Sequence, residues 1–303
     1  MTLQLGYRFD LEDRAALASD SAPYARLLSS GEWTYADPRP WTPTGWWHIR
    51  NQANMGSCRG HSLAANARLC GYLKAGKLDL DDDGTKNEPL EDDFSPMWCY
   101  LMSQRESGIR GDSGATIDGG RKVGVKHGVC REVSFPYPSR YTTSIPRGAA
   151  NDAARFKFAR ETLFEAGDAE KIFDWVGSGQ GAFDWGKIWP LPFVKGCLLK
   201  GMSKSARGGG HATAGIGLIS GEDLIRDLPQ MKSEVKPDEP LLVCANSHST
   251  RAQHAGFYYV TLNGLNEALE HRLTTGIGLS DLSIPEVRRL SFLKRSQSGV
   301  DRS

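Results

Sequence analysis

Asn51-Gln52-Ala53-Asn54-Met55-Gly56-Ser57-Cys58, running straight into RGHSLAANARLCGYLK at 59–74, is the stretch on which the fold turns. Within 59–74, Leu63, Ala67, Cys70 and Leu73 recur at three- and four-residue intervals. That spacing predicts an amphipathic helix, with Gly76 as its stop. Cys58 stands at the helix start, where unsatisfied backbone N–H groups and the positive end of the dipole favour thiolate over thiol. Gly56 and Ser57 are small enough for another backbone to come close. Position alone leaves a second reading open, because most unpaired cysteines are small apolar core fillers.

Downstream, 95–107 reads as a second helix and 116–127 as a third, ended by Gly128. Phe135-Pro136-Tyr137-Pro138 leads into a connector at 139–152, and 153–177 reads as helical from Phe156, Phe158, Leu163, Phe164 and Ile172. The texture then changes: 187–195, 211–219, 241–245 and 256–262 are short, apolar and bounded by turns, which is a strand signature. Helices first and strands second give an α+β chain in two lobes. Upstream, the prolines of Ala36-Asp37-Pro38-Arg39-Pro40-Trp41-Thr42-Pro43 forbid regular helix and make residues 1–45 an extended strap. The catalytic body is expected over 46–275, a helical lobe at about 46–138 and a β lobe at about 139–275. Residues 276–303 form a basic tail whose Ser-rich end, from 285, frays.

The 303 residues carry 37 basic and 36 acidic side chains, net +1, so charge gives no case for nucleic acid or a membrane surface as partner. No apolar run approaches the roughly 20 residues of a membrane span. The polar start MTLQLGYRFDLEDRAAL lacks the pattern of a secretory signal, so a reducing compartment is expected. None of the six cysteines forms a CxxC pair, which argues against a zinc ribbon. Asp79-Leu80-Asp81-Asp82-Asp83-Gly84 opens like a calcium loop, with Asp79, Asp81 and Asp83 as weak candidate ligands. Its twelfth position is Leu90, and Glu91 falls one residue late, so a solvated acidic insertion is the better reading. No metal and no cofactor are expected. His61, one turn beyond Cys58, is a second base or, more simply, a surface or cap residue. Arg59 either reads an acidic substrate side chain or neutralises the loop.

His211 follows Gly208-Gly209-Gly210 and opens an apolar strand, a rigid place from which to hold an imidazole against a thiol. Asn246 ends the strand Leu241–Ala245, where its amide could fix the tautomer of that ring. Each alone has a dull explanation, a core histidine and a turn asparagine. With Gln52 six residues before Cys58, Gly-Ser-Cys opening a helix, HATAGIG at 211–217 and Asn246-Ser247, the chain resembles the papain-like cysteine peptidases. Gly111-Asp112-Ser113-Gly114-Ala115, Gly128-Val129 and Phe135-Pro136-Tyr137 resemble the cleft wall of that family. Pro40-Trp41-Thr42-Pro43 is similar to the lead-in of bacterial and viral members without a large propeptide.

The resemblance implies a two-lobed fold, a helical lobe and an antiparallel β-barrel-like lobe with the active-site cleft between them. It implies an endopeptidase with Cys58 as nucleophile, His211 as base, Asn246 orienting the ring, and Gln52 with the Cys58 N–H as oxyanion hole. Gly114 and Ala115 would pair with an extended protein or peptide substrate, with the specificity pocket near Thr116 and Ile117. The location it suggests is cytoplasmic or virion-associated. Two other functions fit part of the pattern: a Cys–His amidase of cell-wall peptides, and a structural or assembly protein, such as one of a virus particle, that keeps the fold for binding. The sequence also departs from the family. Arg59 replaces the tryptophan after the nucleophile, and His248-Ser249 replaces the Trp-Gly after Asn-Ser. His248, Trp185 or Trp189 would have to shield the His–Asn bond instead. Met55 and Asp112 replace both ends of the usual disulfide.

Overall fold

The structure is a computed structural model describing residues 37–42, 46–75 and 93–284. The acidic insertion with its candidate calcium ligands, the first part of the strap and the tail from 285 lie outside the described residues.

Helix α1 spans Cys58–Ala75 and α2 spans Pro96–Glu106. α2 starts where expected because the Ser95 hydroxyl accepts from the Trp98 N–H and Pro96 needs no donor there. The third helix is shorter than its pattern: α3 runs Ile117–Lys122, continues as a π turn over Val123–His127 and ends at Gly128, φ 82°. Leu63, Ala67, Met97, Trp98, Tyr100 and Ile117 bury the facing sides of these helices.

After the short helix α4 (Ala149–Ala153), the region expected to be one helix over 153–177 divides. Phe158–Phe164 is strand β1 and Ala169–Gly177 is helix α5. Phe156 and Phe158 are two apart, a strand period, and Gly167 between the two elements takes φ 90°. The remaining elements are β2 (Phe183–Trp189), β3 (Leu198–Leu199), β4 (Gly209–Ser220), α6 (Gly221–Asp227), β5 (Pro240–Ala245), β6 (Phe257–Thr261), α7 (Leu262–Glu270) and β7 (Thr275–Leu282).

The strands form one seven-stranded sheet in the order β1-β7-β2-β4-β5-β6-β3, antiparallel except for β3 on β6. It is an open sheet, β1 and β3 being its edges, so the barrel-like β lobe is not closed. β7 begins at Thr275 and runs into the stretch from 276 that the sequence pattern assigns to a tail, pairing with both β1 and β2. Its Gly-rich sequence gives no strand signal, but Gly278 is required: a Cβ there would lie 2.6 Å from Trp175 Cε2.

Two apolar cores result. One fills the β lobe, from Trp175, Phe183 and Trp185 to Leu242 and Tyr258. The other fills the helical lobe and borrows Phe158, Ala212, Ile277 and Leu279 from the sheet. α1 therefore packs along β4 and β7 and brings its first residue to the strand that starts near His211.

Residues 37–42, the described part of the strap, and Trp46 after it are pinned by polar and aromatic contacts. Buried Arg39 pairs with Asp37 at 2.7 Å and Asp227 at 2.8 Å and donates to the Tyr259 hydroxyl at 2.8 Å. Trp41 packs on His254 and Phe257, and Trp46 stacks on Tyr72 of α1 at 3.9 Å.

Candidate active site

Cys58 is the first residue of α1 and is fully buried, with the Ala212 N–H 3.4 Å from its Sγ. His211, the third residue of β4, is also fully buried. The helix start and the strand start thus bring the two predicted reacting groups to adjacent positions.

The His211–Asn246 bond has a definite polarity. Asn246 Oδ1 accepts the Ser247 backbone N–H at 2.8 Å, which identifies that atom as oxygen, and it meets His211 Nε2 at 2.8 Å. Nε2 must then be the protonated nitrogen. His211 Nδ1 has no hydrogen-bond partner among the described residues, so its lone pair is available as a base. Asn246 Nδ2 donates to Gln253 Oε1 at 2.8 Å, an anchor that carries no signal in the sequence.

Gln52 ties this unit to the loop before the helix. Its N–H donates to the Ser247 carbonyl at 2.8 Å, its Oε1 accepts from Ser247 Oγ at 2.5 Å, and its Nε2 donates to the Met55 carbonyl at 2.8 Å. Tyr137, expected only as part of the cleft wall, bonds Ser57 Oγ at 2.5 Å and the Gln52 carbonyl at 3.1 Å.

The missing disulfide is replaced by a carboxylate. Asp112 Oδ1 accepts from the Gly56 N–H and the Tyr100 hydroxyl, both at 2.8 Å, joining the two segments a disulfide would join. The Tyr100 hydroxyl in turn accepts from the Gly114 N–H at 3.1 Å, and the Gly114 carbonyl accepts from Gln104 Nε2 at 3.0 Å. Ala115 and Ile117 are fully buried, and Thr116 caps α3 by accepting from the Gly119 N–H at 2.9 Å.

The missing tryptophans are replaced by two rings. His248 stacks on His211 at 4.4 Å and 20°, and Trp189 covers it at 4.7 Å. Trp185 does not take part; it lies instead under the Lys187 ammonium at 4.2 Å. Burial, then the neighbouring His248 and Lys187, pushes His211 well below the usual histidine range. Burial and Lys187 bring His248 down to about 4.

Arg59 is no substrate reader. It is fully buried, ion-paired with Asp184 of β2, and its Nη2 donates to the Ile117 carbonyl at 3.4 Å. A Cβ at Gly120 would fall 2.2 Å from its guanidinium. His61 is neither a surface nor a cap residue: it is buried edge-on to Tyr137 at 4.8 Å. It lines a cavity of about 30 Å³ with His48, Arg50, Arg68 and Asp93, room for a water or two. None of the six cysteines is in a disulfide, and burial pushes the other five thiols up. Among the described residues no cluster of His, Cys, Asp or Glu could hold a metal, and no helix is long and apolar enough to cross a membrane.

No protein-family model and no curated protein matches the sequence. Solved structures do. Xylellain, a cysteine protease from Xylella fastidiosa, is 18% identical, with TM-score 0.57 over 91% of each chain. Procathepsin B from Trypanosoma congolense is 17% identical, with TM-score 0.54 over 90% of this chain and 89% of its own. The clostridial cysteine protease Cwp84 is 14% identical, with TM-score 0.58 over 79% of this chain and 56% of its own. The α+β architecture of this chain is the fold of the papain-like cysteine proteases.

Proposed function

We propose that the chain is a papain-like cysteine endopeptidase that hydrolyses peptide bonds through a thioester on Cys58. The observation that carries the reading is the orientation of His211: Nε2–H held by Asn246, Nδ1 unpartnered, and the Cys58 sulfur against the next residue's N–H. His211 accepts the thiol proton at Nδ1 as sulfur adds to the substrate carbonyl. The Gln52 amide, held between Ser247 and Met55, and the Cys58 N–H would bind the oxyanion. The imidazolium then protonates the leaving amine, the C–N bond breaks, and water, deprotonated by His211, cleaves the thioester. Substrate contact at Gly114-Ala115 would be through backbone, with Thr116 and Ile117 supporting that wall from behind.

A second reading has one observation in its favour. Cys58 and His211 are both inaccessible, as suits a papain-fold protein that binds a partner without turnover. Labelling with an epoxide inhibitor of papain-like enzymes separates the two. The peptidase reading expects covalent modification at Cys58 alone, and a loss of turnover on the order of 10⁴-fold in Cys58→Ala with little change in Tm. A folded protein that takes no label supports the binding protein instead.

A further inference from the structure

Lys187 lies in the middle of β2 and is fully buried. Its Cα partner across the β2–β4 ladder is His211. The ammonium donates to Thr213 Oγ1 at 2.5 Å and sits 4.2 Å from the Trp185 ring centre, 5.8 Å from that of Trp189 and 5.7 Å from that of Tyr258. Among the described residues it forms no ion pair with a carboxylate. A buried lysine without one is rare because it strands a charge in a poorly polarisable interior. Trp189 is the ring that also covers His211, so the charge and the proposed base share one aromatic neighbour.

We infer that Lys187 is a positioning residue for Cys58 and His211, a buried positive charge that keeps the pair reactive at acidic pH. A cation beside the pair makes it harder to protonate, whether the acid limb is written as His211 gaining a proton or as the Cys58 thiolate doing so. The titratable groups that bear on Lys187 are Cys58 from α1, Asp184 on its own strand, His211 from β4, Cys244 from β5, His248 after it and Tyr258 from β6. Burial brings the Lys187 amine down to about 7, so below that pH, where the acid limb falls, it is charged. The aromatic faces of Trp185 and Tyr258 hold the charge in place.

This inference rests on the peptidase reading, and the test keeps the two apart. The rate of Cys58 alkylation by iodoacetamide, followed by mass spectrometry across pH, reports the pair without needing a substrate. In the unaltered protein an acid-shifted limb at Cys58 is expected; the limb of an ordinary thiol overturns the peptidase reading and this inference with it. Lys187→Met and Lys187→Gln should move the limb to higher pH by about one unit, which is about tenfold slower alkylation below it. Thr213→Val, which removes the oxygen that accepts from the ammonium, should move it the same way by less, and decides the matter if the lysine variants do not fold. A limb unmoved in the folded variants, even with a lower plateau, assigns Lys187 to packing alone and overturns the inference.

Discussion

The two halves of the proposed reacting pair are held by different physics. On the helical side Cys58 is placed by its backbone, and polar bonds fix the loop before it and the turn after it. Asp112 holds Gly56, Tyr137 holds Ser57, and Arg59 ties α1 to Asp184 of β2. On the sheet side His211 is a ring whose plane must be set, and rings set it: His248 on one face, Trp189 at an angle, Tyr258 beyond. A cysteine sulfur is placed by χ1 alone once its backbone is set, whereas an imidazole must have both χ1 and χ2 held. This is why a disulfide can be exchanged for a carboxylate on one side and a tryptophan for a histidine stack on the other.

Breaking the helical side at its most buried bond should have the largest effect on stability. Arg59→Ala leaves the Asp184 carboxyl buried without its cation and should destabilise the fold by about 3–5 kcal/mol in urea unfolding. Arg59→Lys should retain only part of this, because a single ammonium cannot reach both Asp184 and the Ile117 carbonyl. A loss below about 1 kcal/mol in the alanine variant would mean that the helix start is held by packing alone.

Asp112→Ala tests the exchange of a disulfide for a carboxylate more gently. It leaves the Gly56 N–H and the Tyr100 hydroxyl without their acceptor, a loss of about 1–3 kcal/mol. Because Gly56 is two residues from Cys58, epoxide labelling should slow in the same variant. Stability lost with labelling unchanged would separate the clamp from the site.

The sheet side gives the smallest effect at neutral pH and a different signature, a dependence on pH. His248 has its pKa lowered to about 4 by burial and Lys187, below the ordinary value near 6.5. The unfolded chain therefore binds this proton more readily. The stability involved is complete above about pH 6.5 and is lost as pH falls towards 4, at up to about 1.4 kcal/mol per unit from this one ring. His248→Asn should flatten the fall in urea midpoint between pH 7 and 5 by about one proton's worth. An unchanged slope would assign the acid sensitivity to His211 and His61, whose pKa values are also lowered by burial.

The candidate site was more legible as a pattern than the sheet that carries it. Gln52, Cys58, His211 and Asn246 stand in short local patterns, and a helix start or strand start is visible in the residues that make it. β7 was not visible, because Thr275–Leu282 is a strand only when β1 and β2 lie on either side and Trp175 fills the space at Gly278. β1 reads as helix for the same reason, its partner being more than a hundred residues away. Lys187 carried a faint signal, a lone lysine in the apolar run FDWGKIW, that means nothing until the sheet closes over it.

By itself the sequence determined the local elements: where α1 begins, that its first residue is a thiol, and that a histidine lies near the start of one strand and an asparagine just after another. These follow from backbone propensity and periodicity, which act over a few residues; the order of the three groups carries the resemblance to one protein family. Only the tertiary structure decided which groups compensate the departures from that family. It gave Arg59 to Asp184, Asp112 to Gly56, and the stack over His211 to His248 and Trp189. Those pairings depend on which side chains meet in a water-poor interior, where each buried polar group needs a partner that the local sequence does not name.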